Sequence, residues 1–255
     1  MIHRSALIDP KAKLGEEVSV GPYAIVGPHV SIGEGCVIAA HAVLERNVRL
    51  GVGVKVGYGS IIGGDPQDLK YKGEETWVEI GDDTIIREYC TVNRGTRATG
   101  KTTVGERCFI MTYVHLAHDC VVGNDVVLAN GVQLAGHVTV GDRAIISGLT
   151  PIHQFVRIGT YAFVGGCSRV NQDVPPFSKA VGNPVHLYGL NSVGLQRAGF
   201  SADVKLALKR AYRLLFNSDL TVSQGIARAR AELPPLPEVE TFLRFVEDSQ
   251  RGVLV

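Results

Sequence analysis

The sequence lacks a net charge excess, a long apolar run and any CxxC pair. Its 255 residues carry 26 Lys and Arg against 25 Asp and Glu, a formal net charge of +1. Nucleic-acid binders gain affinity from strongly basic surfaces, so nucleic acid is not expected as the main partner. No apolar run approaches the ~20 residues of a membrane span, and the N-terminus, MIHRSALIDP, lacks the apolar stretch of a secretory signal. We therefore expect no transmembrane segment and a cytoplasmic protein.

A six-residue repeat dominates what is present. Counting in sixes from Ile2, every position through Val170 is Ile, Leu or Val except Asp68, Glu74 and Ala98. This period predicts an all-β hexapeptide parallel β-helix, in which three hexads complete one coil. Four residues after each aliphatic comes a second small residue, predicted to face inward as well; this set includes Cys36, Cys90, Cys108 and Cys120. We expect these four cysteines to be small core residues and not to form disulfides or bind a metal. Unpaired cysteines are in keeping with a reducing compartment. The glycine that often follows the aliphatic is expected to supply permissive backbone at the corners.

The repeat divides the chain into two predicted domains. Residues 1–176 form the β-helix, with loop insertions at 64–79 and 93–103, and residues 177–255 form a C-terminal helical domain. Ser201 is a plausible N-cap for a first helix, a second runs from Thr221 towards Ala231, and a third from Glu238 to about Asp248. We expect this domain to cover one open end of the prism, and its basic residues could dock an acidic carrier.

Histidines cluster within the regular repeat. Assigning hexads to faces places those that start at Ile62, Leu116, Leu134 and Ile152 on one common face. That face also carries His153 and the first loop. Because coils stack ~4.8 Å apart, we expect His118, His137 and Gln154, one coil apart in turn, to form a column on it.

His118 is followed directly by Asp119, which suggests a general base oriented by a carboxylate. No GxSxG motif is present and the cysteines are predicted to be internal, so direct attack by a substrate hydroxyl is favoured over a covalent intermediate. Two alternatives stay open. One is a zinc enzyme like the γ-class carbonic anhydrases, with His115, His118 and His137 as ligands. The other is a β-helix that binds its ligands without catalysis.

Several motifs together resemble one family over essentially the full chain, the UDP-N-acetylglucosamine O-acyltransferases that begin lipid A biosynthesis. They are QDLKYKGE at 67–74, NRGT at 93–96, HLAHDC at 115–120, LAGHV at 134–138, IHQF at 152–155, VGGCSRVNQDVPP at 164–176 and LQRAGFS at 195–201. The resemblance implies a homotrimer of left-handed parallel β-helices. It also implies transfer of an R-3-hydroxyacyl group from acyl carrier protein to the glucosamine 3-hydroxyl of UDP-N-acetylglucosamine. The non-catalytic alternative is then a β-helix that only binds acyl carrier protein or a sugar nucleotide. The related N-acyltransferase carries an extra N-terminal domain, and a repeat starting at Ile2 disfavours that enzyme.

The resemblance also implies roles for individual residues. His118 matches the catalytic base, Asp119 its partner, and Gly136 the residue whose backbone N–H serves as oxyanion donor. Gly166 matches the floor of the acyl pocket, where glycine implies a long chain. No metal or resident cofactor is expected, since the carrier's phosphopantetheine thioester is the co-substrate. Other matching residues line the sugar and acyl-pantetheine site (Gln67, Asp68, Lys70, His115, His137, Gln154) or contact the nucleotide and diphosphate (Asn191, Arg197). Val193 and Ala198 replace an acidic and a basic residue expected beside the nucleotide, so uridine recognition stays open.

Overall fold

The computed structural model describes residues 1–255 and contains a triangular prism built from three parallel sheets. Most strands are two residues long, and the chain visits the three sheets in turn. Partner strands in regular coils are eighteen residues apart, as in the pairing of Leu7 with Ile25. Three hexads therefore make one coil, and the parallel β-helix predicted from the repeat is confirmed.

The strands divide among the sheets as follows. The first sheet contains β1 (Leu7–Ile8), β4 (Ile25–Val26), β7 (Val43–Leu44), β10 (Ile61–Gly64), β13 (Thr91–Asn93), β16 (His115–Leu116), β19 (Gln133–Leu134) and β22 (Pro151–Ile152). The second contains β2 (Lys13–Leu14), β5 (Ser31–Ile32), β8 (Val48–Leu50), β11 (Trp77–Ile80), β14 (Lys101–Val104), β17 (Val121–Val122), β20 (Thr139–Val140) and β23 (Arg157–Ile158). The third contains β3 (Ser19–Val20), β6 (Val37–Ile38), β9 (Lys55–Val56), β12 (Ile85–Ile86), β15 (Phe109–Ile110), β18 (Val127–Leu128), β21 (Ile145–Ile146), β24 (Phe163–Val164), β25 (Ser178–Gly182) and β26 (Val185–Leu190).

The prism core contains the aliphatic positions of the repeat and the small residues four positions later. Leu116 and Leu134 are fully buried, as are Cys90 and Cys120. Burial raises the pKa of the Cys120 thiol to about 12 and that of Cys90 to about 11. These cysteines are therefore core residues, and all five cysteines of the chain are unpaired.

The glycines after the aliphatic residues have a different role from the one predicted. The positive φ of each turn falls two residues later, usually on a residue other than glycine, such as Asp125 or Arg143. Gly21 and Gly141 instead lie against the next coil: a Cβ on either would come within 2.6 Å of a backbone nitrogen. Glycine at this position permits close contact between coils, so the expectation of permissive turn backbone was wrong for it.

Both insertions leave the prism at the same edge. Residues 65–76 and 94–100 connect the first sheet to the second, as do the short turns 117–120, 135–138 and 153–156. We call these five segments the loop corner. The hexads that start at Ile62, Leu116, Leu134 and Ile152 do share one sheet, as predicted, but the polar column lies on the turns that follow it.

The C-terminal region differs from the prediction at its start. Residues 178–190 are not helical: β25 pairs with β24 in parallel and β26 returns antiparallel, so the third sheet extends past Pro176. The helices follow as α1 (Ser192–Arg197), α2 (Ala202–Phe216), α3 (Val222–Glu232) and α4 (Pro237–Glu247), and α1 had not been predicted. Ser201 and Thr221 cap α2 and α3. None of the four helices has the length and apolarity that a bilayer span requires.

Candidate active site

His118 and Asp119 form a hydrogen-bonded pair on the loop corner. The His118 ring lies 2.7 Å from Asp119, measured from Nδ1 to Oδ2, and the histidine side chain keeps 14% of its surface exposed. Asp119 has the positive φ of its turn, a conformation that aspartate tolerates well. The turn thus directs the carboxylate inward while the imidazole keeps access to solvent.

The carboxylate of Asp119 is buried and fully engaged. The residue is 3% exposed, and its oxygens also accept hydrogen bonds from the Thr96 N–H (2.9 Å), the Thr96 hydroxyl (2.7 Å) and the Thr99 hydroxyl. Burial alone would raise the pKa of Asp119, but the bonds from Thr99, His118 and Thr96 outweigh it and lower that pKa. An ionised carboxylate can only accept, so His118 Nδ1 carries a proton, and in the neutral ring Nε2 is the nitrogen with the free lone pair.

Gly136 lies directly beneath the His118 ring, one coil further on. A Cβ at this position would come within 2.6 Å of His118 Cε1 and 2.8 Å of Nε2, so the ring can occupy its place only above a glycine. The Gly136 carbonyl accepts from Phe155, whereas its N–H donates to no acceptor in the chain. A free N–H beside the unprotonated nitrogen of an imidazole can stabilise a developing oxyanion.

Two further histidines surround this pair. His137 stacks on Phe155 with ring centroids 4.6 Å apart, meets the His118 ring edge-on, and places Nε2 3.5 Å from Asp119 Oδ2. His115 lies on β16, where its Nδ1 is 2.7 Å from the Thr91 hydroxyl. Burial lowers the pKa of His115, and the neighbouring His118 lowers it further. A neutral His115 can hydrogen-bond a substrate without adding charge.

A cleft of about 320 Å³ opens beside His137, and residues from both insertions line it. Asp68 and Lys70 from the first loop belong to its wall, together with Thr96 and Arg97 from the second. Gln67 lies outside the wall and is exposed, as are His153 and Gln154 on the last turn of the corner. The structure thus brings His115, His118, Asp119, Gly136, His137, Asp68 and Lys70 to one corner.

Asn191 and Arg197 lie elsewhere. They line a second cleft, of about 450 Å³, between α1 and the outer face of the third sheet. The Asn191 side chain caps α1 by accepting from the Gly194 N–H and donates to the Tyr161 carbonyl. Since a corner of a triangular prism lies opposite its third face, one chain does not join these residues to His118. Gly166 lies on the corner between the third and first sheets, where a Cβ would lie 3.3 Å from the Gly148 carbonyl oxygen and 3.8 Å from the Ser147 Cβ.

The chain matches known proteins over its whole length. A family profile described as UDP-N-acetylglucosamine O-acyltransferase, domain 2, matches residues 173–254, and a bacterial transferase hexapeptide profile matches residues 11–46 and 101–136. An acyl-[acyl-carrier-protein]–UDP-N-acetylglucosamine O-acyltransferase from Paracidovorax citrulli is 54% identical over 99% of this chain and 98% of its own. The chain belongs to the UDP-N-acetylglucosamine O-acyltransferase family.

Solved structures of the family agree with the fold. The enzyme from Bacteroides fragilis superposes with a TM-score of 0.99 at 40% identity and covers 100% of both chains. That from Acinetobacter baumannii gives a TM-score of 0.97 at 41% identity, covering 100% of this chain and 99% of its own. The prism is therefore the left-handed parallel β-helix of this family.

Within this acyltransferase scaffold, the three potential metal ligands that come closest together are His118, Asp119 and His137. The zinc alternative named His115, His118 and His137 as ligands, and these three residues are not the group whose ligand atoms lie close together. The four protein donors to Asp119 already fill the roughly four lone-pair sites of its carboxylate, and His118 Nδ1 is one of them. This arrangement favours proton transfer by His118 over metal binding.

Residues of the second insertion were missed as functional candidates. Thr96 and Thr99 contact Asp119, and fully buried Arg94 anchors the loop, yet only the NRGT motif had been noted. The sequence did hold one indication of their role, because the six-residue register resumes unchanged after the insertion. An insertion that replaces whole hexads must leave and rejoin the prism at one corner, so its residues stack on the next turn of that corner. Val193 is exposed and lines the second cleft, whereas Ala198 is the C-cap of α1 and lies outside the wall of that cleft.

Proposed function

We propose that the protein transfers an R-3-hydroxyacyl group from acyl carrier protein to the 3-hydroxyl of UDP-N-acetylglucosamine, the first step of lipid A biosynthesis. The observation that carries this proposal is the His118 pair above Gly136, in a chain that belongs to the family. We place the reaction in the cytoplasm, in keeping with five unpaired cysteines.

The proposed chemistry needs no covalent enzyme intermediate. His118 Nε2 takes the proton of the sugar hydroxyl as its oxygen attacks the thioester carbonyl, and Asp119 stabilises the resulting imidazolium. The Gly136 N–H donates to the oxyanion of the tetrahedral intermediate. Collapse breaks the C–S bond, and the imidazolium returns its proton to the departing pantetheine thiolate. Ester, thiol and neutral His118 result, so atoms and charge balance.

We further propose that the enzyme acts as a homotrimer. His118 lies on one corner of the prism and Arg197 beside the opposite face, so one substrate reaches both only between two chains. A cyclic trimer packs one surface of each chain against a different surface of the next, which suits a corner-to-face contact. The predicted nucleotide residues of one chain then meet the predicted catalytic residues of its neighbour.

The direct test incubates the protein with a panel of acyl carrier protein thioesters and with both 3-hydroxy and 3-amino sugar nucleotides. We expect acyl transfer to the 3-hydroxy acceptor, seen as thiol release together with an ester product. Thioester consumption only with the 3-amino acceptor would reassign the acceptor. Binding without turnover would support the non-catalytic alternative.

Acyl-chain length offers a second test, because Gly166 matches the floor of the family's acyl pocket and a Cβ there would already lie 3.3 Å from the Gly148 carbonyl oxygen. Gly166→Met should shorten the preferred chain. Each excluded methylene forfeits ~0.8 kcal/mol of burial, so losing four would change discrimination by ~3 kcal/mol, or more than about a hundredfold. Competition between 3-hydroxydecanoyl and 3-hydroxymyristoyl thioesters measures it. An unchanged preference would place the pocket floor elsewhere.

A further inference from the structure

The second insertion encloses the carboxylate of Asp119. Thr96 donates to it through both its backbone N–H and its hydroxyl, and the Thr99 hydroxyl lies within bonding distance of Oδ1. The single Thr99 proton could also serve the Lys101 carbonyl at 2.9 Å, but a charged acceptor makes the stronger bond. The loop therefore supplies three of the four donors that fix this side chain.

The loop that supplies these donors is itself anchored. The Arg94 side chain is fully buried and donates to the Gly63 carbonyl, to Asp65 and to the Tyr71 hydroxyl, the last at 3.1 Å. At the far end, the Gly100 N–H donates to the Thr96 carbonyl at 2.8 Å and closes the loop. Donors held from both ends need no reorganisation when the imidazole takes a proton.

We propose that Thr96 and Thr99 are positioning residues: they orient the Asp119 carboxylate so that it accepts from His118 Nδ1 and leaves Nε2 free for the substrate hydroxyl. This inference deepens the proposed acyl transfer and rests on it for its kinetic consequence. Thr99 lies outside the wall of the cleft, and its link to the His118 pair is the hydrogen bond to Asp119.

A double-mutant cycle tests this route of action. Thr99→Val should lower kcat about tenfold, the effect of one charge-assisted hydrogen bond, with KM little changed. Thr99→Ser keeps the hydroxyl and should restore the rate. In an Asp119→Asn background, Thr99→Val should have no further effect, because coupled residues are non-additive. Equal losses in both backgrounds would mean that Thr99 acts structurally, and would overturn the proposal.

Thr102→Val is the matched control. The Thr102 hydroxyl accepts from the backbone N–H of Asp119 at 2.9 Å and makes no hydrogen bond to its carboxylate. We expect this variant to lose stability. Its effect on kcat should be the same in the wild-type and the Asp119→Asn backgrounds, so that the coupling energy between the two substitutions is near zero. If it reproduced the kinetic pattern of Thr99→Val, general loosening of the turn would explain both variants, against the proposal.

A measurement without substrate separates this inference from the proposed function. The ¹⁵N chemical shifts of the His118 ring report which nitrogen carries the proton. We expect an Nδ1–H tautomer in the wild type and in Thr102→Val, and a loss of that tautomer in Thr96→Val with Thr99→Val. If the wild type had no acyl-transfer activity but the double variant still lost the tautomer, only the acyl-transfer proposal would be overturned. An unchanged tautomer in the double variant would overturn the positioning role alone.

Discussion

Asp119 and Asp125 occupy the same position in consecutive hexads, and their environments differ completely. Both have the positive φ of their turns, 61° and 55°. Asp119, on the loop corner, is buried under two threonines and paired with His118. Asp125, on the corner between the second and third sheets, stays at the surface and pairs with Arg107 at 2.9 Å. The repeat fixes the backbone at both corners, and the insertions make one of them a candidate active site.

Removing the base should have the largest effect. We expect His118→Ala to fold normally and to lose most of its activity, since a positioned general base contributes about 10²–10⁴-fold. Asn124 has the equivalent turn position on the Asp125 corner, where its side chain accepts from the Glu106 backbone N–H. Asn124→Ala should retain the wild-type rate. The acyl-transfer rates of the two variants measure this contrast. If His118→Ala kept more than half of the wild-type rate, His118 would have no role in the mechanism.

Gly136→Ala should come next. Asp142, at the same turn position on the Asp125 corner, carries a side chain, so the turn itself does not demand glycine. The new methyl group would displace the His118 ring, and a misplacement of about 1 Å can cost about a hundredfold in rate. Gly148→Ala provides the control for folding yield, because its Cβ would meet only the Asn130 backbone, at 3.1 Å. A fully active Gly136→Ala would contradict the arrangement of base and oxyanion donor.

The loss of rate in Asp119→Asn should be smaller than that in His118→Ala, because the carboxylate orients the base and transfers no proton. Asp125→Asn should leave turnover unchanged. Steady-state rates of the two variants measure this. Equal losses in both would mean that the two corners do not differ functionally.

The smallest expected difference concerns acid stability. The pKa of Asp119 is lowered in the folded state, so its stabilising effect is complete above the ordinary aspartate pKa of about 3.9 and is lost as the pH falls through the lower folded value. Asp119→Asn should therefore flatten the fall in melting temperature below about pH 4. The bond from Arg107 also lowers the pKa of Asp125, but about 1 M salt should screen that exposed pair and spare Asp119. If salt reduced the contribution of Asp119 to the pH dependence of the melting temperature as much as that of Asp125, the burial of Asp119 would be contradicted.

Periodicity predicted the regular parts of the molecule and failed where the period stops. Strict spacing in sixes placed Leu116 and Leu134 in one sheet, and hence His118 and His137 on neighbouring coils of one corner. It gave no conformation for residues 94–100, because an insertion has no repeat and its hydrogen bonds depend on the turn it stacks on. The strands of residues 178–190 were missed for a related reason: Pro175 and Pro176 end the hexads, yet the third sheet continues through β25 and an antiparallel return.

The central claim is that the loop corner of one chain and the α1 cleft of the next chain form one active site. Co-expressing His118→Ala and Arg197→Ala chains tests it most directly, since each homotrimer lacks one half of every site. Random mixed trimers should recover about a quarter of the wild-type activity, because one interface in three is intact in each mixed trimer. Activity no higher than that of the separate homotrimers, or a fully active Arg197→Ala homotrimer, would contradict the account.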